Sequence, residues 1–136
     1  MFLLDTNVVS ELRRARPHKG VVNWLTTVPE DALFVSAVTA GEVQAGIEIA
    51  RQTDQAKARE IEEWLDAVTA TYRILAVDAA AFRACARLLA GKSKAALEDA
   101  LIAATALTRG LTVATRNVSD FRGFGVKLFD PFGFKG

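Results

Sequence analysis

One cysteine and one histidine are the only thiol and imidazole groups in this chain of 136 residues. Cys85 alone can form neither an internal disulfide nor a thiolate metal set. His18 alone excludes a multi-histidine zinc site within one chain. Long apolar runs are missing too, and no stretch approaches the ~18 residues of a membrane span. Phe2-Leu3-Leu4 is too short for a secretory signal and meets Asp5 at once, so the cytoplasm is the expected location. An excess of one charge is also absent. Seventeen Lys and Arg against sixteen Asp and Glu leave a net charge of +1, which neither demands nor excludes nucleic acid as a partner. There is no G-x-G-x-x-G or Walker A stretch to cradle a nucleotide phosphate. There is no G-x-S-x-G, and His18 has no evident triad partners. Internal repeats, linkers and low-complexity segments are lacking.

What remains is a chain that is 51% hydrophobic, as expected of a compact globular protein. Its length suits one domain, residues 1–136, burying roughly 68% of its unfolded surface. Strand-like and helix-like segments alternate. Met1 to Leu4 reads as a buried strand, followed by a helix from Val8 to about Arg14 and another from Lys19 to Val28. Leu33-Phe34-Val35 is a second strand, and Ser36 is a good N-cap for a helix reaching Gln52. Thr53 or Asp54 caps a further helix to about Thr71, with Ala58, Ile61, Trp64, Leu65, Val68 and Tyr72 on its apolar stripe. Its acids Glu60, Glu62, Glu63 and Asp66 read as solvated. These two helices should form an αα-hairpin. Ile74 to Val77 reads as a third strand. Asp78 caps a helix that turns Phe82, Cys85, Leu88 and Leu89 inward, so Cys85 reads as a small core residue. A helix over 97–109 ends at Gly110, and strands follow at 111–114 and 126–129, the last at a sheet edge. This alternation predicts an α/β fold with a mostly parallel sheet and helices on both faces.

Four carboxylates stand in awkward places. Asp5 ends the first apolar run, where an N-cap is the ordinary role. Glu42 falls on the stripe Val38, Glu42, Ala45, Gly46 and Ile49, which the spacing predicts to face inward. Asp99 lies in the first turn of Leu97–Leu107, a helix apolar nearly all round and therefore expected to be central. Asp120 follows the strand at 111–114. Acids beside buried surface are costly unless paired or bound to a cation. Asp5, Asp99 and the segment 115–120 all fall at strand ends or helix starts, where open α/β sheets bind ligands. An all-oxygen set suits Mg²⁺ or Mn²⁺. Such a site activates water and neutralises charge on a phosphoryl group, so a phosphodiester is the natural substrate. Thr6, Asn7, Thr115, Arg116 and Asn117 lie close enough in sequence to orient water or contact phosphate. Arg13, Arg14, Arg16, His18 and Lys19 form a basic cluster, read as solvated surface with phosphate contact as the alternative. Five of the eight phenylalanines (121, 124, 129, 132 and 134) lie in the last sixteen residues. Packing of that tail on the body is the first reading, with a base-stacking platform or a partner-facing patch as the others.

The chain resembles a PIN-domain ribonuclease, specifically the VapC-type toxin of bacterial and archaeal toxin–antitoxin pairs. Four stretches carry the resemblance: Phe2 to Glu11, Ser36 to Val43, Asp99 to Ala106 and Thr115 to Phe121, in family order and at family-like spacing. The resemblance implies a Rossmann-like α/β/α fold and an endoribonuclease dependent on Mg²⁺, for which Mn²⁺ substitutes. Asp5, Glu42 and Asp99 match the family's core acids and Asp120 a more variable fourth. These four would hold metal, Glu42 directly or through water, and activate the attacking water. Thr6, Asn7, Thr115 and Asn117 match supporting polar positions, with Arg116 among them. Glu98, diverging from Asp99 by about 100° around the helix, is set aside, leaving Asp99 as the ligand. The implied substrate is structured RNA, tRNA or rRNA. The implied partners are a small DNA-binding antitoxin with an inhibitory tail and a second copy of the chain. Two other functions compete: a PIN scaffold acting by RNA or partner binding without turnover, and aspartyl-phosphate chemistry on Asp5. The latter wants a second Asp where Asn7 stands, or an acidic pair for which Met1-Phe2 leave no room.

Overall fold

A computed structural model describes residues 1–136. Five strands form one sheet: β1 (Phe2–Leu4), β2 (Leu33–Ser36), β3 (Arg73–Leu75), β4 (Thr112–Ala114) and β5 (Leu128–Phe129). All pairings are parallel and the order is β3-β2-β1-β4-β5. Seven α-helices cover the sheet: α1 (Thr6–Glu11), α2 (Lys19–Thr27), α3 (Ala37–Arg51), α4 (Gln55–Thr71), α5 (Ala79–Leu89), α6 (Leu97–Arg109) and α7 (Val118–Phe121). β1 is central and reads as a continuous apolar run because both its faces are covered. Successive strand residues point to opposite faces. Leu3 accordingly joins a core built with α5, α6 and α7, and Leu4 joins another built with α1, α2 and the end of α4.

The chain adds strands to one side of β1 through β3, then crosses to the other side for β4 and β5. The reversal leaves a crevice beyond the C-terminal ends of β1 and β4, where ligands of open α/β sheets bind. Leu4 is paired with Ala114, so the residues that follow them, Asp5 and Thr115, face each other across that crevice.

Several boundaries differ from the sequence expectation. α1 starts at Thr6, because Asp5 caps it by accepting the Thr6 N–H at 2.8 Å. It ends at Glu11, before the arginines. β3 covers Arg73–Leu75 and β5 only Leu128–Phe129. The inward stripe of α3 is rotated: Thr39 and Ile47 are buried, and Val43 and Ala50 pack with Ile47 against α4. Ala45 and Gly46 are exposed, as is Ile49 at 69%. A Cβ on Gly46 would meet nothing, so no element approaches there. The hairpin partner lies on the Thr39–Ile47 side, and the sequence alone does not say which of two apolar faces α4 will cover. Phe82 is likewise exposed at 54%, while Ala81 and Cys85 face in. Glu62 is not simply solvated, since Arg51 of α3 holds it at 2.9 Å. His18 is not an open surface residue. It caps α2 by accepting the Gly20 N–H on Nδ1 at 3.1 Å, and its own N–H donates to the buried Glu11 carboxylate at 2.8 Å.

The C-terminal segment lies against α2. Asp130 accepts the Phe132 N–H at 2.9 Å, and Pro131 is buried. Gly20 makes this contact possible, because a Cβ there would stand 2.8 Å from the Phe132 carbonyl oxygen and 2.9 Å from that of Pro131. Alanine in a helix is worth up to ~1 kcal/mol over glycine, but two rigid backbone oxygens reverse the sign. Gly20→Ala should lower stability by about 1–3 kcal/mol, the range for overpacking. A denaturant melt with an unchanged or raised midpoint would show that the segment yields freely.

Candidate active site

Asp5 anchors the site. It is only 5% exposed and every contact it makes comes from a donor. The Thr6 N–H reaches Oδ1, while the Asn7 amide at 3.0 Å and the Thr115 hydroxyl at 2.8 Å reach Oδ2. Thr115 is itself buried, accepts the Asn117 N–H at 2.9 Å and lies 3.3 Å from the Asn7 amide nitrogen. Asn7 also accepts the Arg116 N–H at 3.1 Å. A β1–α1 junction and a β4 end, far apart in sequence, are thus sewn together around one carboxylate. Burial pushes the Asp5 pKa up, against the lowering effect of these donors, with a smaller push from Asp120.

Glu42 reaches the same place from α3. Its Oε1 accepts the Thr6 hydroxyl at 3.0 Å, and that hydroxyl is also 3.0 Å from Thr39. Glu42 titrates at about 7, raised first by burial and then by a hydrogen bond with Glu98, with Thr6 opposing. Glu98 is therefore not turned away, as its position next to Asp99 had suggested; its carboxylate faces that of Glu42. Asp99 titrates at about 6, through burial first and then the charges of Asp5, Asp120 and Glu98. Asp120 sits in the first turn of α7, after the Asn117 cap, and is exposed.

The structure thus brings Asp5, Asp99 and Asp120 into electrostatic contact, with Glu42 and Glu98 alongside. It also places Thr6, Asn7, Thr115 and the Asn117 backbone in one hydrogen-bond network. The Arg116 side chain is different: it is exposed and its guanidinium lies over the Phe132 ring, 4.2 Å from the centroid. Sequence reasoning gave Thr39 no role and set Glu98 aside. Thr39 could have been found from its place one turn before Glu42 on α3. Nothing in the sequence announces the Glu98 pairing, which depends on how α3 meets α6.

No three carboxylates converge tightly enough to enclose an ion by themselves. The donor set still fits a hard divalent cation, because all its atoms are oxygen and the acids raise one another's pKa values. Mg²⁺ in particular is held through one or two carboxylates and several waters. Beside the acids runs a groove of about 360 Å³, lined by Thr6, Glu42, Arg13, Gly46, Ile61 and Trp64 among others. A larger hollow of about 440 Å³ lies elsewhere, around Met1, Phe34 and Arg109, and carries none of these acids.

Residues 2–125 match the PIN domain. The chain belongs to the PIN-domain family. Among its relatives is the toxin FitB of Neisseria gonorrhoeae, 38% identical over 97% of this chain and 99% of that one. A VapC ribonuclease of Sinorhizobium fredii is 34% identical over 97% of this chain and 98% of its own. The solved structure of FitAB bound to a DNA fragment superposes with a TM-score of 0.86 at 30% identity, covering 100% of this chain and 99% of that one. The fold and the family expected from the four sequence stretches are those found. No helix of this PIN domain is long and apolar enough to cross a membrane.

Proposed function

We propose that this PIN domain is a metal-dependent endoribonuclease, with Mg²⁺ as the working ion and Mn²⁺ able to replace it. We further propose that it is the toxin of a toxin–antitoxin pair acting on structured RNA, tRNA or rRNA. The observation that carries this is the buried, fully donated Asp5 with Asp99 and Asp120 charged against it at the sheet's crevice. Asp5 and Asp99 would hold the ion directly, and Asp120 and Glu42 directly or through water. The ion, when bound, supplies a lowered pKa for its water and a counter-charge for the phosphoryl oxygens.

The chain's own groups do the rest. Thr6, Asn7 and Thr115 fix Asp5 so that it cannot swing out. Glu42, held by the Thr6 hydroxyl next to Asp5, is placed to take a proton from the attacking water. Thr6 orients Glu42, and Thr39 orients Thr6. The groove past Arg13 and Trp64 gives the RNA strand a path away from the reacting phosphate. The remaining partners belong to the same reading: an antitoxin that covers this groove, and a second copy of the chain, itself one domain over residues 1–136.

The test is incubation of purified protein with total tRNA and rRNA in Mg²⁺ or Mn²⁺, with and without EDTA, beside Asp5→Asn. Discrete fragments from wild type alone, abolished by EDTA, are the expected result. RNA that is bound but left intact in both metals would replace the nuclease with a binding scaffold.

A further inference from the structure

We propose that Phe132 is a positioning residue for RNA: its ring holds the Arg116 guanidinium at the rim of the site, as a contact for a phosphate of the substrate strand. The inference rests on the nuclease reading and adds the C-terminal segment to the substrate site. Arg116 leaves the backbone beside Thr115, the hydroxyl donor to Asp5. Its N–H is tied to Asn7, whose amide also donates to Asp5. The base of its side chain is therefore fixed with respect to the central carboxylate.

Its far end makes no ion pair, although the neighbouring rim is rich in acid. It rests on the Phe132 face instead, at 4.2 Å, closer than the other two cation–ring contacts of the protein at 5.6 and 5.9 Å. The ring in turn is held from several sides. The His18 imidazole lies edge-on at 5.1 Å, itself oriented by Gly20 and by the backbone bond to Glu11. Asp130 caps the Phe132 N–H, and Gly20 lets the segment lie down.

The chemistry of the contact favours phosphate. A guanidinium that rests on a ring and has no carboxylate partner keeps N–H donors free, and its fork matches phosphate oxygens two at a time. Held on the ring, the cation is kept off the carboxylates, and its orientation is settled before the strand arrives, which lowers the entropy lost on binding.

The experiment uses the full chain in EDTA, with a fluorescein-labelled mixed-sequence RNA strand as the probe read by anisotropy. KM and kcat are measured separately with metal on an RNA that wild type cleaves. Phe132→Leu, which keeps bulk but loses the ring face, is expected to weaken binding roughly two- to fivefold, the worth of one exposed cation–ring contact. It should raise KM and leave kcat nearly alone. Phe132→Tyr should restore wild-type binding. Arg116→Ala should weaken binding and flatten the salt dependence by about 0.7 in log–log slope, one phosphate's share on a single strand. In the Arg116→Ala background, Phe132→Leu should do nothing further. Equal loss in both backgrounds, or a Tyr variant as weak as the Leu variant, would make Phe132 a packing residue only and overturn the inference. Cleavage by wild type with unaltered binding by Phe132→Leu would overturn it while leaving the nuclease reading intact. Wild type that neither binds RNA nor cleaves it with metal would overturn both.

Discussion

Asp99→Asn is expected to abolish RNA cleavage while making the metal-free protein more heat-stable. The two effects have one origin. Asp99 is driven up to about pKa 6 by burial and by the charges of Asp5, Asp120 and Glu98, so at neutral pH its own charge is held against repulsion. The amide keeps the shape and removes that charge. Screened by the solvent that reaches Asp99, the relief is about 1 kcal/mol. For a domain of this size that is a rise of roughly 3–5 °C in Tm. Activity moves the other way. A lost metal ligand forfeits several kcal/mol of charge stabilisation at the phosphoryl group, so kcat/KM should fall by about 10³ or more. Cleavage assays and scanning calorimetry in EDTA, on the same two preparations, test the pair. A variant that is inactive but less stable would mean that Asp99 serves the fold. One that still cuts would remove it from the site.

Mg²⁺ should raise the Tm of the wild-type protein, and by more at high pH than at low. Asp99 and Glu42 titrate at about 6 and about 7 in the fold, above ordinary values of 3.8 and 4.5, and Asp5 is raised as well. The folded state therefore binds more protons than the unfolded chain across the window from those ordinary values up to about 7. Stability without metal must fall as pH rises through that window. The ion competes for the same oxygens. At about pH 5 protons already occupy Asp99 and Glu42, and Mg²⁺ adds less. At about pH 8, with free Mg²⁺ at tenfold its Kd, mass action contributes ~1.4 kcal/mol, a rise of roughly 4–6 °C. The check is a set of melts across pH with Mg²⁺ and with EDTA. A metal-free Tm that is flat or rising over this range would contradict the carboxylate repulsion described above. A metal increment equal at both ends would place Mg²⁺ somewhere other than these acids.

How far the sequence reaches differs from element to element. The central strand, the buried helix at 97–109 and the strand–helix alternation are strong local signals, because both faces of β1 and most of α6 are covered and the residues are apolar throughout. Asp5, Asp99 and Asp120 were visible as acids abutting apolar runs. Glu42 was picked out through a stripe that the structure rotates. It is displaced from solvent because the end of α3 leans on α1 at Thr6, not because it shares a face with Ile49. Phe82 and Ile49 show the same limit: a helix with apolar residues on two sides does not declare which side is covered. Glu98 was set aside and Thr39 given no role because what they do arises between elements. The approach of Glu98 to Glu42 and the hydroxyl relay through Thr6 exist only once α3, α6 and α1 have met. The tail's phenylalanines were legible as packing residues, whereas the Arg116–Phe132 contact depends on Gly20 admitting the segment.

The bond from Thr115 to Asp5 spans 110 positions of the chain, and this has a consequence for biosynthesis. β1 is the first strand to be made, yet it is central and must wait for β4 to satisfy one of its two edges. A chain made only as far as residue 111 holds Asp5 without its hydroxyl donor, without Asp120 and beside an open edge of β1. Contacts so distant in sequence also close slowly. Residues 112–120 thus act as a timer: a molecule to which they have not yet been added carries no assembled cluster.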